Sequence, residues 1–173
     1  MVNNWYLTKA KFTKQLENGT FKRVTEPYLI CGVNFTDTET RIYEELGSII
    51  RGEFKVVGIS PYPLVDIFHF EDSDLWWEIL VRVQDPSLDS EKIKMISAKY
   101  LVSGDNITDA LKNVEEKLNE LISDYTITGI KSSPIIDIFP YREELDKEIS
   151  RTPIESEDEA MEVEYEENSE EEN

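Results

Sequence analysis

The chain has 173 residues, 39% of them apolar and 32% charged, and a formal net charge of −19. That length suits one domain or two tightly joined half-size units, and no apolar run approaches the roughly eighteen residues that a membrane helix needs. The single cysteine, Cys31, excludes an internal disulfide and a cysteine-rich zinc site.

The N-terminal "MVNNWYLTKAKF" has neither a signal-peptide core nor a cleavage pattern, so a cytoplasmic protein is expected. Residues 5–12 alternate, with Tyr6, Ala10 and Phe12 on one side, the pattern of a half-buried strand. The polar segment "TKQLENGT" follows, and Asn18-Gly19 is its turn signal. A second strand is predicted from about Phe21 to Ile30. Thr36 and Glu39 read as a capping box that opens a helix. Ile42, Leu46, Ile49 and Ile50 give that helix one apolar face, over about residues 36–51. "FKVVGI" then supplies a third strand.

The order starts again at Trp76. Trp77, Ile79, Val81 and Val83 alternate as Tyr6 to Phe12 do, and a strand follows from about Lys92 to Val102. Leu111, Val114, Leu118, Leu121 and Ile122 form a second apolar helix face, over about residues 107–123, before the strand "YTITGI". The identities are specific. Tyr28, Leu29, Gly32, Asn34, Thr36, Asp37, Glu44 and Leu46 face identical residues seventy-two positions on. Trp5, Gly58, Ile59, Pro63, Asp66, Ile67 and Phe68 do so at a spacing of seventy-one. So many ordered matches over about seventy residues signal an internal duplication.

The expected fold is therefore α+β, with duplicated β-β-α-β units, residues 1–70 and 71–142, around one shared core. It has about six main strands with two helices packed on one face, related by a pseudo-twofold axis. Neither unit alone would bury enough apolar surface for comfortable stability. The repeated P-x-x-D-I-F is expected to mark a strand exit whose Ile and Phe seal the core.

The stretch "RVTEPYLICGVNFTDTETRIYEEL", followed by "GEFKV" and "DIFPY", resembles a family of small bacterial and bacteriophage proteins known only as a domain of unknown function. The resemblance covers roughly residues 1–142. It implies a bacterial or phage cytoplasm and brings no activity and no site residues with it.

Candidate chemistry lies on the other side of the first strand of each copy. Trp5, Leu7, Lys9 and Lys11 alternate with the core set, and Trp76, Glu78, Leu80 and Arg82 take those places in the second copy. With Lys22 and Arg23 these residues suggest a basic, aromatic surface on an acidic protein. Single-stranded nucleic-acid binders use that pairing, cations following phosphates and aromatic faces stacking on bases. The plainer reading is an ordinary solvated face with two structural tryptophans, and no nucleic-acid signature of known spacing is present.

Catalytic readings are weaker. His69 is the only histidine, and Cys31 reads as a buried inert thiol, replaced by Ser103 in the second copy. Asp66 and Asp137 occupy matching positions and could pair to bind a divalent metal, although polar caps at strand exits are commoner. No cofactor motif is present.

From Glu155 to Asn173 there are eleven acidic residues and no basic ones, which leaves 26 acids against 18 bases, a net of −8, for residues 1–154. Residues 143–173 read as a linker and a disordered acidic tail, too charged to collapse. Met161, Val163 and Tyr165 alternate with glutamate there and could be read by a protein partner as an added strand. The leading expectation is a nonenzymatic single-stranded nucleic-acid binder with an acidic regulatory tail. The alternatives are a protein-interaction or accessory structural module, and a metal-dependent enzyme using the two aspartates. No membrane partner is expected, and self-association stays open.

Overall fold

The computed structural model describes residues 4–84 and 94–141. Among these the order is β1 (Asn4–Gln15), β2 (Phe21–Gly32), α1 (Phe35–Ile49), β3 (Phe54–Pro61), β4 (Asp66–Phe68), β5 (Trp76–Gln84), β6 (Met95–Ser103), α2 (Ile107–Leu121), β7 (Tyr125–Ser133) and β8 (Ile138–Phe139). The six expected main strands and both helices are present, in the same order in each copy. The two extra short strands are the D-I-F segments themselves.

Each copy builds a sheet around its long hairpin. β1 pairs antiparallel with β2, from Asn4 opposite Gly32 to Gln15 opposite Phe21. The Asn18-Gly19 signal is realised as the turn, with Gly19 at φ +80 and Thr20 N–H donating to Asn18 Oδ1 at 3.0 Å. β3 adds on the other side of β1, with a bulge between Lys9 and Ala10. The same bulge falls between Leu80 and Val81, seventy-one residues later. A duplication that preserves an irregularity preserves more than generic strand–helix patterning.

The last strand of each copy does not stay in its own sheet. β4, from the first copy, pairs parallel with β6, Asp66 opposite Tyr100 and Phe68 opposite Val102. β8, from the second, pairs parallel with β2, Leu29 opposite Ile138 and Ile30 opposite Phe139. The result is two four-stranded sheets, β3-β1-β2-β8 and β4-β6-β5-β7. Each exchanged strand covers an edge that would otherwise present unpaired backbone groups.

The clasps around the exchange are also reciprocal. Val65 N–H donates to Lys99 O at 2.8 Å, and Ile136 N–H to Pro27 O at 2.9 Å. Phe68 stacks on Tyr100 with centroids 5.5 Å apart, and Phe139 on Tyr28 at 6.1 Å. Phe70 N–H donates to Ser103 Oγ at 2.7 Å, and the Tyr141 backbone hydrogen-bonds the Cys31 thiol. Cys31 is thus a buried structural group, and burial pushes its thiol above the usual range.

Three apolar clusters hold the fold. Tyr6, Ala10, Phe12, Tyr28 and Ile30 pack under Ile42 and Leu46 of α1, with Phe139 from the other copy. Ile79, Val81, Tyr100 and Val102 pack under Val114 and Leu118 of α2, with Phe68 from the first copy. A third cluster joins the helix-free sides through Leu29, Trp76, Leu101 and Ile135, with Trp5, Leu7, Ile67 and Ile138 against them. The helix stripes are narrower than their spacing implies: Ile49, Leu111 and Leu121 are exposed. The strand ends pass close to the helices: a Cβ on Gly104 would lie 2.6 Å from Ala110 N, so this position admits only glycine.

The capping box expected at Thr36 and Glu39 is corrected. Asn34 caps α1, its side chain accepting from Asp37 N–H at 2.9 Å, while Asp37 Oδ2 accepts from Val33 N–H at 2.9 Å. Asn106 caps α2 in the same way, accepting from Thr108 and Asp109 N–H. Asn34 stands just outside the helix with extended backbone at φ −154, from which its side chain reaches the orphan donors, whereas Thr36 already lies within the first turn.

Phe139→Ala and Phe68→Ala should each lower the unfolding free energy by about 3–5 kcal/mol, because each removes a buried ring and unseats an exchanged strand. Urea denaturation of the two variants should give similar losses. A small effect in one of them would show that the exchange is not energetically reciprocal.

Candidate functional site

The helix-free face of β3-β1-β2 changes character along its length. Paired residues in register share a face, so Trp5 and Leu7 at one end continue into Lys9 and Lys11 at the other. Lys11 lies opposite Thr25 on β2 and Lys55 on β3. Phe21, Arg23 and Thr25 alternate on this same side of β2, since Val24 packs into the helix-side core. Lys9, Lys11, Arg23 and Lys55 are exposed, and no ion pair among the described residues engages them. Phe21 is 72% exposed beside them.

The expected site residues therefore divide. Lys9, Lys11 and Arg23 come together, and Arg82 is exposed on the equivalent face of β5. Lys22 is separated from them: it lies opposite Lys14, on the helix side of the sheet. Trp76 is corrected. It is 8% exposed and belongs to the cluster between the helix-free sides, with Trp5 half-buried against it. Trp76 is not an open stacking platform, because the exchanged strands bring Ile67 and Ile138 onto the surface it was expected to expose. Phe21 and Lys55 were missed. The signal for Phe21 was its odd-numbered register with Arg23, and for Lys55 a strand pairing that spacing alone does not fix. Met161, Val163 and Tyr165 lie outside the described residues.

At the tryptophan end a cleft of about 670 Å³ is lined by residues of both copies, among them Trp5 with Trp76 and Asp66 with Asp137. His69 lies on its wall with its ring 5.4 Å from that of Trp76. The two aspartates are exposed strand-end caps, each accepting the next residue's N–H at 2.7 Å. Among the described residues no group of three or more His, Cys, Asp or Glu side chains is placed to hold a metal ion.

A polar cluster breaks the symmetry between the copies. Glu78, largely buried, is 3.3 Å from Lys99 Nζ and 3.4 Å from Lys131 Nζ, and the Tyr62 hydroxyl donates to it. Lys99 Nζ also sits 4.7 Å above the Tyr62 ring. Burial raises the Glu78 carboxyl, but the Tyr62 bond and the two lysines outweigh burial and hold it below its ordinary value. Burial, the bond to Glu78 and its negative charge together push the Tyr62 hydroxyl well above its ordinary value. The equivalent first-copy positions hold Leu7, Pro27 and Ser60. Tyr62 comes from the first copy, so the cluster also ties the copies together.

Residues 4–141 match the family model described as "Domain of unknown function (DUF4494)". The chain belongs to this family. No curated protein and no solved structure matches the chain. The DUF4494 match spans both copies and both exchanged strands of this chain. No helix among the described residues is long and apolar enough to cross a membrane.

Because Glu78 is held below its ordinary value of 4.5, its contribution to stability is fully present above that value and is lost as pH falls through its lower folded value. Thermal melts from about pH 7 down to about pH 3 should therefore show a smaller acid loss in Glu78→Gln than in the wild type. Parallel curves for the two proteins would show that the cluster contributes nothing to acid stability.

Proposed function

We propose that this protein is a nonenzymatic module that binds single-stranded nucleic acid on the basic end of the helix-free face of β3-β1-β2. The observation that carries this reading is the exposed row of Lys9, Lys11, Lys55 and Arg23, which no ion pair among the described residues engages, with Phe21 beside it. The cations would follow phosphates, and Phe21, in place of the tryptophans, would supply the face on which a base stacks. A rigid three-stranded platform supports this, since it presents the side chains without the ordering cost of a loop. Arg82, exposed on the other sheet, would extend the phosphate path. The setting we propose is a bacterial or phage cytoplasm, as the sequence resemblance implies.

The acidic C-terminal segment fits the same reading as a tethered competitor. Eleven acids on one chain act at high effective concentration against any polyanionic ligand. Removing residues 155–173 should strengthen binding, most clearly at low salt, where charges reach furthest.

The test is a titration of a fluorescent single-stranded oligonucleotide at several salt concentrations, with and without residues 155–173. Replacing Lys9, Lys11 and Lys55 by alanine should weaken binding and lower the salt slope by about 0.7 for each phosphate that is no longer neutralised. Phe21→Ala should cost about 1–3 kcal/mol and leave the slope unchanged, since stacking is not screened. If the shortened protein binds no oligonucleotide even at low salt, the nucleic-acid reading fails and a protein-interaction role takes its place.

A further inference from the structure

The outer edges of the two sheets differ in chemistry. β3 ends one sheet and β7 the other, and among the described residues each pairs on one side only, with β1 and with β5. Such an edge offers backbone groups to any extended segment that reaches it. On β3, Phe54 and Val56 pack against the helix-side core, and Tyr43 of α1 stacks on Phe54 with centroids 5.4 Å apart. Lys55 stands between them and therefore on the helix-free side, opposite Lys11. On β7 the places of Tyr43, Lys55 and Val57 are taken by Glu115, Thr126 and Thr128. The one lysine of β7, Lys131, is already engaged by Glu78 at 3.4 Å. Only the β3 edge joins an apolar side to an uncommitted cation.

The chain itself carries a segment with the complementary pattern. In "AMEVEYEE", residues 160–167, Met161, Val163 and Tyr165 alternate with Glu162, Glu164 and Glu166. Extended backbone has period two, so facing the apolar set one way turns all three glutamates the other way. Laid along β3, the apolar set continues the row of Phe54 and Val56, and the glutamates meet Lys55, with Lys11 one strand further in. The reach is ample. Residues 142–160 separate the last described residue from Met161, and those nineteen residues can span up to about 60 Å. β8, which precedes them, lies three strand spacings from β3 in the same sheet, about 14 Å.

We propose that residues 161–166 add to the β3 edge of their own chain as a further strand, with Met161, Val163 and Tyr165 on the helix side and the glutamates on the lysine side. Val56 N–H now donates to the Tyr43 hydroxyl at 3.3 Å, a bond long enough for an incoming backbone carbonyl to replace. The opposite facing would press three carboxylates against Phe54 and Val56 and desolvate them, so the pattern selects one orientation. Docked this way, the segment brings its charge to the edge of the basic face. In its effect on nucleic-acid affinity the docking rests on the binding function proposed above; the docking itself does not require it.

Amide hydrogen exchange, followed by mass spectrometry with no nucleic acid present, tests the docking. β3 should exchange at least about threefold more slowly in the full chain than in a chain ending at Ile154, and β7 should not change. The double variant Val163→Glu, Glu164→Val keeps composition and charge but breaks the alternation, and it should abolish the difference. Met161→Ser, Val163→Ser, Tyr165→Ser together should do the same, and neither variant touches the folded body. Lys55→Glu should also abolish it with little change in Tm, whereas Lys112→Glu, on exposed α2 surface, should not. Slowing that survives the Val163 and Glu164 exchange would mean that charge alone holds the segment, and would overturn the added strand. Equal slowing of β7 would overturn the choice of edge. Slowing that grows with protein concentration, together with a dimer in sedimentation, would give the edge to a second copy and overturn docking within one chain. No difference between the full and shortened chains would overturn the proposal outright. Since no oligonucleotide is present, failure here leaves the nucleic-acid reading standing, and a failure to bind oligonucleotide leaves the docking standing.

Discussion

Two short parallel pairings, residues 66–68 on β6 and 138–139 on β2, decide how the rest of this molecule is arranged. Without them each copy would be a three-stranded antiparallel sheet with one helix and an open edge. With them, each helix-side core contains a phenylalanine from the other copy, and the β2 and β6 edges each gain a strand, while β3 and β7 stay at the outer edges. Neither copy completes its own core. The cost of ordering the two crossing segments is met by reciprocal aromatic stacking and backbone hydrogen bonds, and both are made twice.

The copies agree where the exchange requires it and differ where it does not. Tyr28 and Tyr100 are identical and stack on Phe139 and Phe68 of the other copy, and Asp66 and Asp137 each accept the N–H of the next residue in their own strand. Cys31 and Ser103 differ, yet both clasp the residue just beyond the exchanged strand. Arg41 and Asn113 also differ, and both donate to the carbonyl at that strand end. The position needs a hydrogen-bonding group, not a particular residue. Leu7 and Glu78 are the opposite case. The first faces apolar neighbours, and the second has Lys99, Lys131 and Tyr62 gathered around it.

The helix-free sides are sealed at the tryptophan end and exposed at the lysine end. Apolar side chains joining the sheets there exclude water from between them. This separates a covered, aromatic end from a basic, solvated end on one small protein. The two are built from the same strands, with Trp5 and Lys11 six residues apart on β1.

Local chemistry was enough to read the elements. Strict alternation in β1 and β5, the Asn18-Gly19 turn and the apolar spacing of both helices depend on neighbouring residues alone, and the duplication could be read from identities at fixed spacing. The aspartates and phenylalanines of the repeated motif were legible as a strand exit with a buried ring. The sheet that received each ring was not, because an exchanged strand and a retained one have the same sequence pattern. The fate of Trp5 and Trp76 followed from that choice. Alternation placed them on the helix-free side, and only the partner strands determined that this side is covered at their end and open at Lys9, Lys11 and Phe21. Period and propensity are properties of a segment. Which segment covers another depends on contacts between residues far apart in the chain, and these form only when both copies fold together.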